Sequence, residues 1–312
     1  MSNAVVTFAL GKDYQEYAVS LAYSFLTFNT DNDIYFYIVS NESFPIPREL
    51  ASRVRCIRIK SLYLDKEVLL NKIFVLDYVQ ADNILLIDAD SFICSDLKPL
   101  FHLYRNDDIV IWGEKITDKD KWRGNVEQIL KANNINFLYR LNGGLYYFHR
   151  GEKSLAFFDL CKDLIENYEK QKFDTVYDSL KDDEIIFSTA CVKLDIVAKK
   201  YDGSIKAETM YFSKRYINLF VGNVKLSYNN YEVNTTNMLM HRKVYPLIVC
   251  FDRNSVRDLD YRINAFLIRH FLKSNIFFKV IMSFLVSSIL FIYYFFKQVK
   301  KNLSYFKHTK TI

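Results

Sequence analysis

The chain has 312 residues, half of them apolar, with 26 Phe and 23 Tyr, enough for one large α/β domain plus an appendage and too apolar for general disorder. Its formal charge of +6 belongs to the tail: residues 275–312 carry six lysines and no acid, so the rest of the chain is neutral. A neutral body without an Arg/Lys stripe argues against a nucleic-acid partner, and five scattered cysteines without a Cys-x-x-Cys pair argue against a zinc site or a disulfide framework.

Met1-Ser2-Asn3-Ala4 runs straight into Val5-Val6-Thr7-Phe8-Ala9-Leu10, so no signal peptide is expected and the body is expected in the reducing cytosol. Residues 5–10 read as a buried strand, 14–28 as a helix by the spacing of Tyr17, Val19, Leu21, Ala22 and Phe25, and 33–39 and 54–59 as strands. A helix is predicted over 65–80, then a short apolar strand, Asn83–Ile87, that stops at Asp88. Strands alternating with helices predict an α/β, Rossmann-like, mostly parallel sheet covered by helices on both faces, with ligands at the carboxyl ends of the strands. Further strands are predicted at 108–112 and 145–148, and helices at 152–170 and 183–193. Residues 195–250 show no clear period. A helical stretch near 256–274 leads into an apolar run over 280–296.

Asp-x-Asp occurs four times, at Asp31/Asp33, Asp88/Asp90, Asp118/Asp120 and Asp258/Asp260. Only Asp88/Asp90 follows a buried apolar strand directly, which places two hard oxygen ligands at the sheet's carboxyl edge. There they suit Mn²⁺ or Mg²⁺ on a diphosphate, unless they merely cap a turn. Asn142-Gly143-Gly144 permits close backbone approach to a ligand and is equally a hairpin-turn signal. Asp182-Asp183-Glu184 precedes a predicted helix, where one acid suffices for capping and a second or third can face a cleft. Tyr14 can stack on a base or fill the core, and Lys72 reads as a surface lysine in an otherwise apolar segment.

In order and spacing these segments resemble glycosyltransferase family 8, which includes glycogenin and the bacterial lipooligosaccharide galactosyltransferases. Val6–Leu10 with Tyr14 is similar to the family's first strand and nucleotide loop, Lys72-Ile73 and Leu86-Ile87-Asp88-Ala89-Asp90-Ser91 to its lysine and metal loop. Leu141–Leu145 is similar to its Phe-Asn-(Ala/Ser)-Gly-Val, and Asp182–Ile186 occupies the place of its Asp-Gln segment. The resemblance spans roughly residues 4–250. It implies a GT-A fold and a retaining hexosyltransferase using a nucleotide diphosphate sugar, UDP-hexose in the first instance. It further implies donor binding by Thr7, Ala9, Tyr14, Lys72, Asp88, Asn142 and Gly143, and Mn²⁺ (or Mg²⁺) held by Asp88, Asp90 and His241. Asp182-Asp183 or Asp183-Glu184 stands for Asp-Gln, and Asp183, which takes part in both registers, is the first catalytic candidate, with Asp182 the second. The family's Lys-Pro-Trp is reduced here to Arg242-Lys243-Val244-Tyr245-Pro246, which leaves Lys243 only a candidate for the phosphate.

Two other readings stay open. A sugar nucleotidyltransferase would need a Gly-rich basic loop after the first strand, where Leu10-Gly11-Lys12-Asp13 has one glycine; a non-catalytic membrane-associated scaffold would not need Asp88/Asp90. Residues 1–250 are expected to form the catalytic domain, 251–274 a connecting helical segment and 275–312 a membrane-associating tail. Val280–Phe296 would span about 25 Å as a helix, short of a bilayer core, and Lys279, Ser283 and Ser287 form a polar stripe. These features predict an in-plane helix on the cytosolic face of a membrane, where the enzyme meets a glycan or lipid-linked acceptor in polysaccharide biosynthesis.

Overall fold

A computed structural model describes residues 1–60, 65–117, 120, 122–176, 180–212, 214–227, 243–252, 255–271 and 274–308. The first half runs β1 (Asn3–Phe8), α1 (Lys12–Phe28), β2 (Ile34–Ser40), β3 (Val54–Arg58), a 3-10 segment over Asp65–Phe74, α2 (Val75–Tyr78) and β4 (Asn83–Ile87). Then come β5 (Ser91–Ile93), α3 (Lys98–Tyr104), β6 (Ile109–Ile116), α4 (Val126–Asn133), β7 (Leu138–His149) and α5 (Glu152–Glu166). The second half adds β8 (Thr175–Val176), β9 (Leu180–Lys181), α6 (Asp183–Lys193), β10 (Lys206–Glu208), β11 (Lys214–Asn218) and β12 (Asn223–Ser227). It closes with β13 (Lys243–Val244), β14 (Ile248–Cys250), α7 (Leu259–Phe271) and α8 (Ile276–His308).

The main sheet has six strands in the order β3-β2-β1-β4-β7-β6, and β7 alone runs against the others. The expected mostly parallel sheet is therefore observed. Alternation along each strand splits the core in two: Val5, Leu85 and Tyr147 face α1 and α7, while Val6, Leu86 and Tyr146 face α5 and α6. A small sheet, β10-β14-β5, sits beside the end of β4 and joins the irregular-looking second half to the strand that follows Asp90.

Two local readings are corrected. The Asn142-Gly143-Gly144 run is no hairpin turn but lies inside β7, where Ile111 pairs with Tyr146 and Gly113 with Leu141. Residues 142–145 thus oppose Trp112 alone and bulge from the ladder. Lys72, read from its segment as a surface lysine, is buried.

The tail also has a defined place. Its polar stripe turns inward: Asn218 donates to Ser283 Oγ at 2.8 Å, Tyr216 OH meets Ser287 Oγ at 2.8 Å, and Lys279 lies over the Phe220 ring. Farther along, Tyr294 donates to Asp260, which with Asp258 faces Arg215. Val286 and Leu290 pack on Phe220 and Leu267. The opposite side is apolar and open, with Phe277, Phe284 and Phe291 exposed by 73, 75 and 74 %.

Candidate active site

The carboxyl ends of β1 and β4 and the bulge of β7 meet the N-terminus of α6 in one place. At its centre is Lys72, whose Nζ lies 2.8 Å from Asp88 Oδ1 and 3.4 Å from Asp183 Oδ2. Burial disfavours its charge, yet Asp183 and Asp88 raise its pKa above the ordinary lysine value, so it stays an ammonium. The sequence brings these three together from segments separated by up to 111 positions.

The two glycines of β7 make the approach possible. Gly144 has φ +78°, and a Cβ there would overlap the Asp88 carboxylate; a Cβ on Gly143 would overlap the Glu184 carboxylate. Asp88 N–H donates to the Gly144 carbonyl at 3.1 Å, tying the loop after β4 to the bulge.

The acidic run divides its work. Asp182 caps α6, accepting from Glu184 N–H at 3.3 Å, and its other oxygen lies 2.7 Å from Arg123, which also holds Glu184 at 2.7 Å. Asp183 alone points to Lys72 and Asp88. Asp182, a catalytic candidate in one register, is thus placed on Arg123 rather than beside Asp88.

Charges at the pair differ. Burial raises the Asp88 pKa, but Lys72 and Lys206 outweigh it and hold the carboxyl below its ordinary value. Asp90 is pushed up to about 6 by burial and then by the Asp88 charge. Burial likewise raises Asp183 and Glu184. Asp90 is held in place by its own carbonyl, which accepts from Phe251 N–H at 2.8 Å, and by the Cys250 thiol, which donates to Oδ1 at 3.4 Å.

Lys206 was not legible from the sequence. It is fully buried on β10, donates to the Gly143 carbonyl and lies 3.2 Å from Glu208. Around the centre six acids (Asp88, Asp90, Asp182, Asp183, Glu184, Glu208) face three cations (Lys72, Arg123, Lys206). Such a site repels a diphosphate unless another cation accompanies it, so the donor set at Asp88 and Asp90 fits a divalent ion. No group of three or more His, Cys, Asp or Glu poised to hold a metal occurs among the described residues. His241 lies outside them, and Lys243 sits on β13.

On the β1 side, Thr7 and Ala9 are fully buried, and the Thr7 hydroxyl has no hydrogen-bond partner among the described residues. Ala9 N–H donates to Val39 carbonyl at 2.8 Å, and Ser40 bonds the Ala9 carbonyl and Gln15. Tyr14, in the first turn of α1, is 41 % exposed and edge-on to Tyr17. The backbone of Asn142 lies in the bulge.

The other described acidic pairs are structural. Asp31 and Asp33 both grip Lys98 on the surface, and Asp258 and Asp260 face Arg215 beside the tail.

The chain aligns on a crystal structure of an active-site variant of LgtC with a TM-score of 0.51. The identity is 14 %, over 85 % of this chain and 95 % of that one. The fold is GT-A. A second structure, the galactosyltransferase LgtC in complex with donor and acceptor sugar analogues, gives a TM-score of 0.51 at 12 % identity, over 84 % of this chain and 95 % of the other. No family model and no curated protein sequence matches the chain. In open α/β sheets ligands gather at the carboxyl ends of the parallel strands, and Lys72, Asp88 and Asp183 converge at that edge here.

Proposed function

We propose that this GT-A chain is a metal-dependent hexosyltransferase that takes a sugar from a nucleotide diphosphate, UDP in the first instance, with retention of configuration. The observation that carries the reading is the convergence of Asp88, Asp183 and Lys72 at the ligand end of the sheet, made possible by the paired glycines. Asp88 and Asp90 would hold Mn²⁺ or Mg²⁺, with His241 as a third ligand; when bound, the ion supplies the charge that stabilises the departing diphosphate. Tyr14 stacks on the base. Thr7 and Ala9 support the donor from beneath through the β1 backbone, and the Asn142-Gly143 backbone borders the sugar. Lys72 holds Asp88 and Asp183 in register against the donor. Asp183 faces the anomeric carbon as the bond to the diphosphate breaks and the acceptor oxygen attaches, its proton leaving with the diphosphate. Asp182 serves as a cap.

The acceptor is a glycan or a lipid-linked glycan, met at the cytosolic face of a membrane in polysaccharide biosynthesis. Phe277–Phe296 is long and apolar enough to cross a bilayer by composition. Its polar stripe, however, is bound to the body, and an apolar face is left outside. That division supports a helix lying in the plane of the membrane.

The test is hydrolysis of nucleotide sugars without acceptor, with Mn²⁺ present. One nucleotide sugar should be turned over, and Asp88→Asn should lower that rate by on the order of a thousandfold, a few kcal/mol of transition-state stabilisation. Asp31→Asn should leave it unchanged. Equal rates in the wild type and Asp88→Asn would sink the reading.

A further inference from the structure

Where α7 and α8 converge on α1 they leave a cavity of about 880 Å³. Its α8 wall is apolar, made by Met282, Val286 and Ile289. The facing wall carries Arg257, Arg262, Arg269 and His270, while Glu16 is the one acid among its lining residues. Arg269 is already engaged, donating to Ser20 Oγ at 2.6 Å and to the Glu16 carbonyl. The His270 ring bonds the Phe266 carbonyl. Arg257 and Arg262 are exposed, and neither side chain meets an acid among the described residues.

We infer that this cavity seats one anionic phospholipid of the membrane, its phosphate between Arg257 and Arg262 and its chain along Met282, Val286 and Ile289. The inference rests on the reading that α8 lies on a bilayer. An in-plane helix sits at the boundary between head groups and acyl chains, and the exposed Phe277, Phe284 and Phe291 mark the side of α8 that enters it. A cavity flanking such a helix opens at head-group depth. Its lining combines the two chemistries of a phospholipid, an apolar α8 wall and, opposite, arginines set among further apolar residues such as Leu259 and Ile263. Phe266, 53 % exposed on α7, extends the apolar surface past the rim. The charge excess of the wall complements a phosphate and opposes a second copy of the same basic wall.

The experiment uses the full chain and monomeric dihexanoyl lipids in titration calorimetry. Dihexanoylphosphatidylglycerol should bind at least tenfold more tightly than dihexanoylphosphatidylcholine, and inorganic phosphate should show no measurable binding. Arg257→Gln with Arg262→Gln should erase that preference while the thermal midpoint and nucleotide-sugar hydrolysis stay unchanged. Unchanged preference in the double variant, equal binding of the two lipids, binding of inorganic phosphate as tight as that of the anionic lipid, or a dimer that blocks the lipid would overturn the seat. Vesicle flotation separates the two layers of the argument. A full chain that binds neither phosphatidylcholine nor phosphatidylglycerol vesicles removes the membrane-surface reading, whereas one that binds both kinds equally removes only the lipid seat.

Discussion

A methyl group is the smallest change that the centre of this site cannot absorb. Gly144→Ala places a Cβ on the Asp88 carboxylate at a backbone φ of +78°, so activity should fall by on the order of a hundredfold or more, equivalent to about 3 kcal/mol. Gly151→Ala, whose Cβ would meet nothing closer than 3.7 Å, should be silent in the same assay. Asp183→Asn should depress kcat far more than donor affinity if, as proposed, its carboxylate acts on charge that develops during bond breaking. A variant with normal kcat and weakened donor binding would make Asp183 a binding residue instead. Asp90 offers a pH test. Its pKa rises on folding from 3.8 to about 6, so the ionised form costs the fold up to about 3 kcal/mol above pH 6, less where solvent screens it. That cost disappears as pH falls through 6 toward the unfolded value. Asp90→Asn should therefore raise the melting temperature of chelator-treated protein at pH 7.5, with the gain shrinking near pH 5. The placement of Asp88 and Asp90 at the sheet's carboxyl edge was legible because a buried strand ends just before them. Lys206 and Arg123 were not, since an isolated cation in an irregular stretch looks like any surface residue until its partners are brought to it.

The elements were readable where their periodicity was long. The 17 residues of α1 and the 11 of α6 declare themselves, as do the apolar strands β1 and β4. The two- and three-residue strands after position 200 are too short to show alternation, which is why β10 and β14 were invisible although they carry Lys206 and Cys250 to the site. At Asn142-Gly143 the local turn signal lost to tertiary pairing: β4 holds one side of β7 while the bulge absorbs the glycines. The small sheet should matter for stability as well as placement. Lys206→Met leaves Glu208 and the Gly143 carbonyl without their buried cation, and should cost about 3 kcal/mol in chemical denaturation. A loss under about 0.5 kcal/mol would show that solvent takes over those contacts.

For the molecule as a whole, the basic character concentrated in residues 275–312 and the polar stripe of the tail were both legible, but the direction of the stripe was not. Periodicity says that a helix has two faces, not which medium each one meets. Because the polar face is bound to the body, deleting α8 would uncover Phe220 and Leu267 and remove Tyr294 from Asp260. Loss of membrane binding after such a deletion would be confounded by damage to the body. Phe284→Glu with Phe291→Glu alters only exposed positions, and should move the full chain from membranes to the soluble fraction with its melting temperature preserved. A double variant that still sediments with membranes would rule out this face as the anchor.

Ser283, Ser287 and Tyr294 fix α8 at three successive points along its length, so the tail is a bracket and not a tether. A tether would let the sugar-transferring centre sample a range of heights above the lipid surface. If α8 lies on a membrane as proposed, a bracket would hold that centre at one height and make the helix a gauge of acceptor length, favouring acceptors whose reactive hydroxyl stands at that level. Inserting flexible residues between α7 and α8 should leave the length preference untouched, whereas cutting the three polar contacts should broaden it.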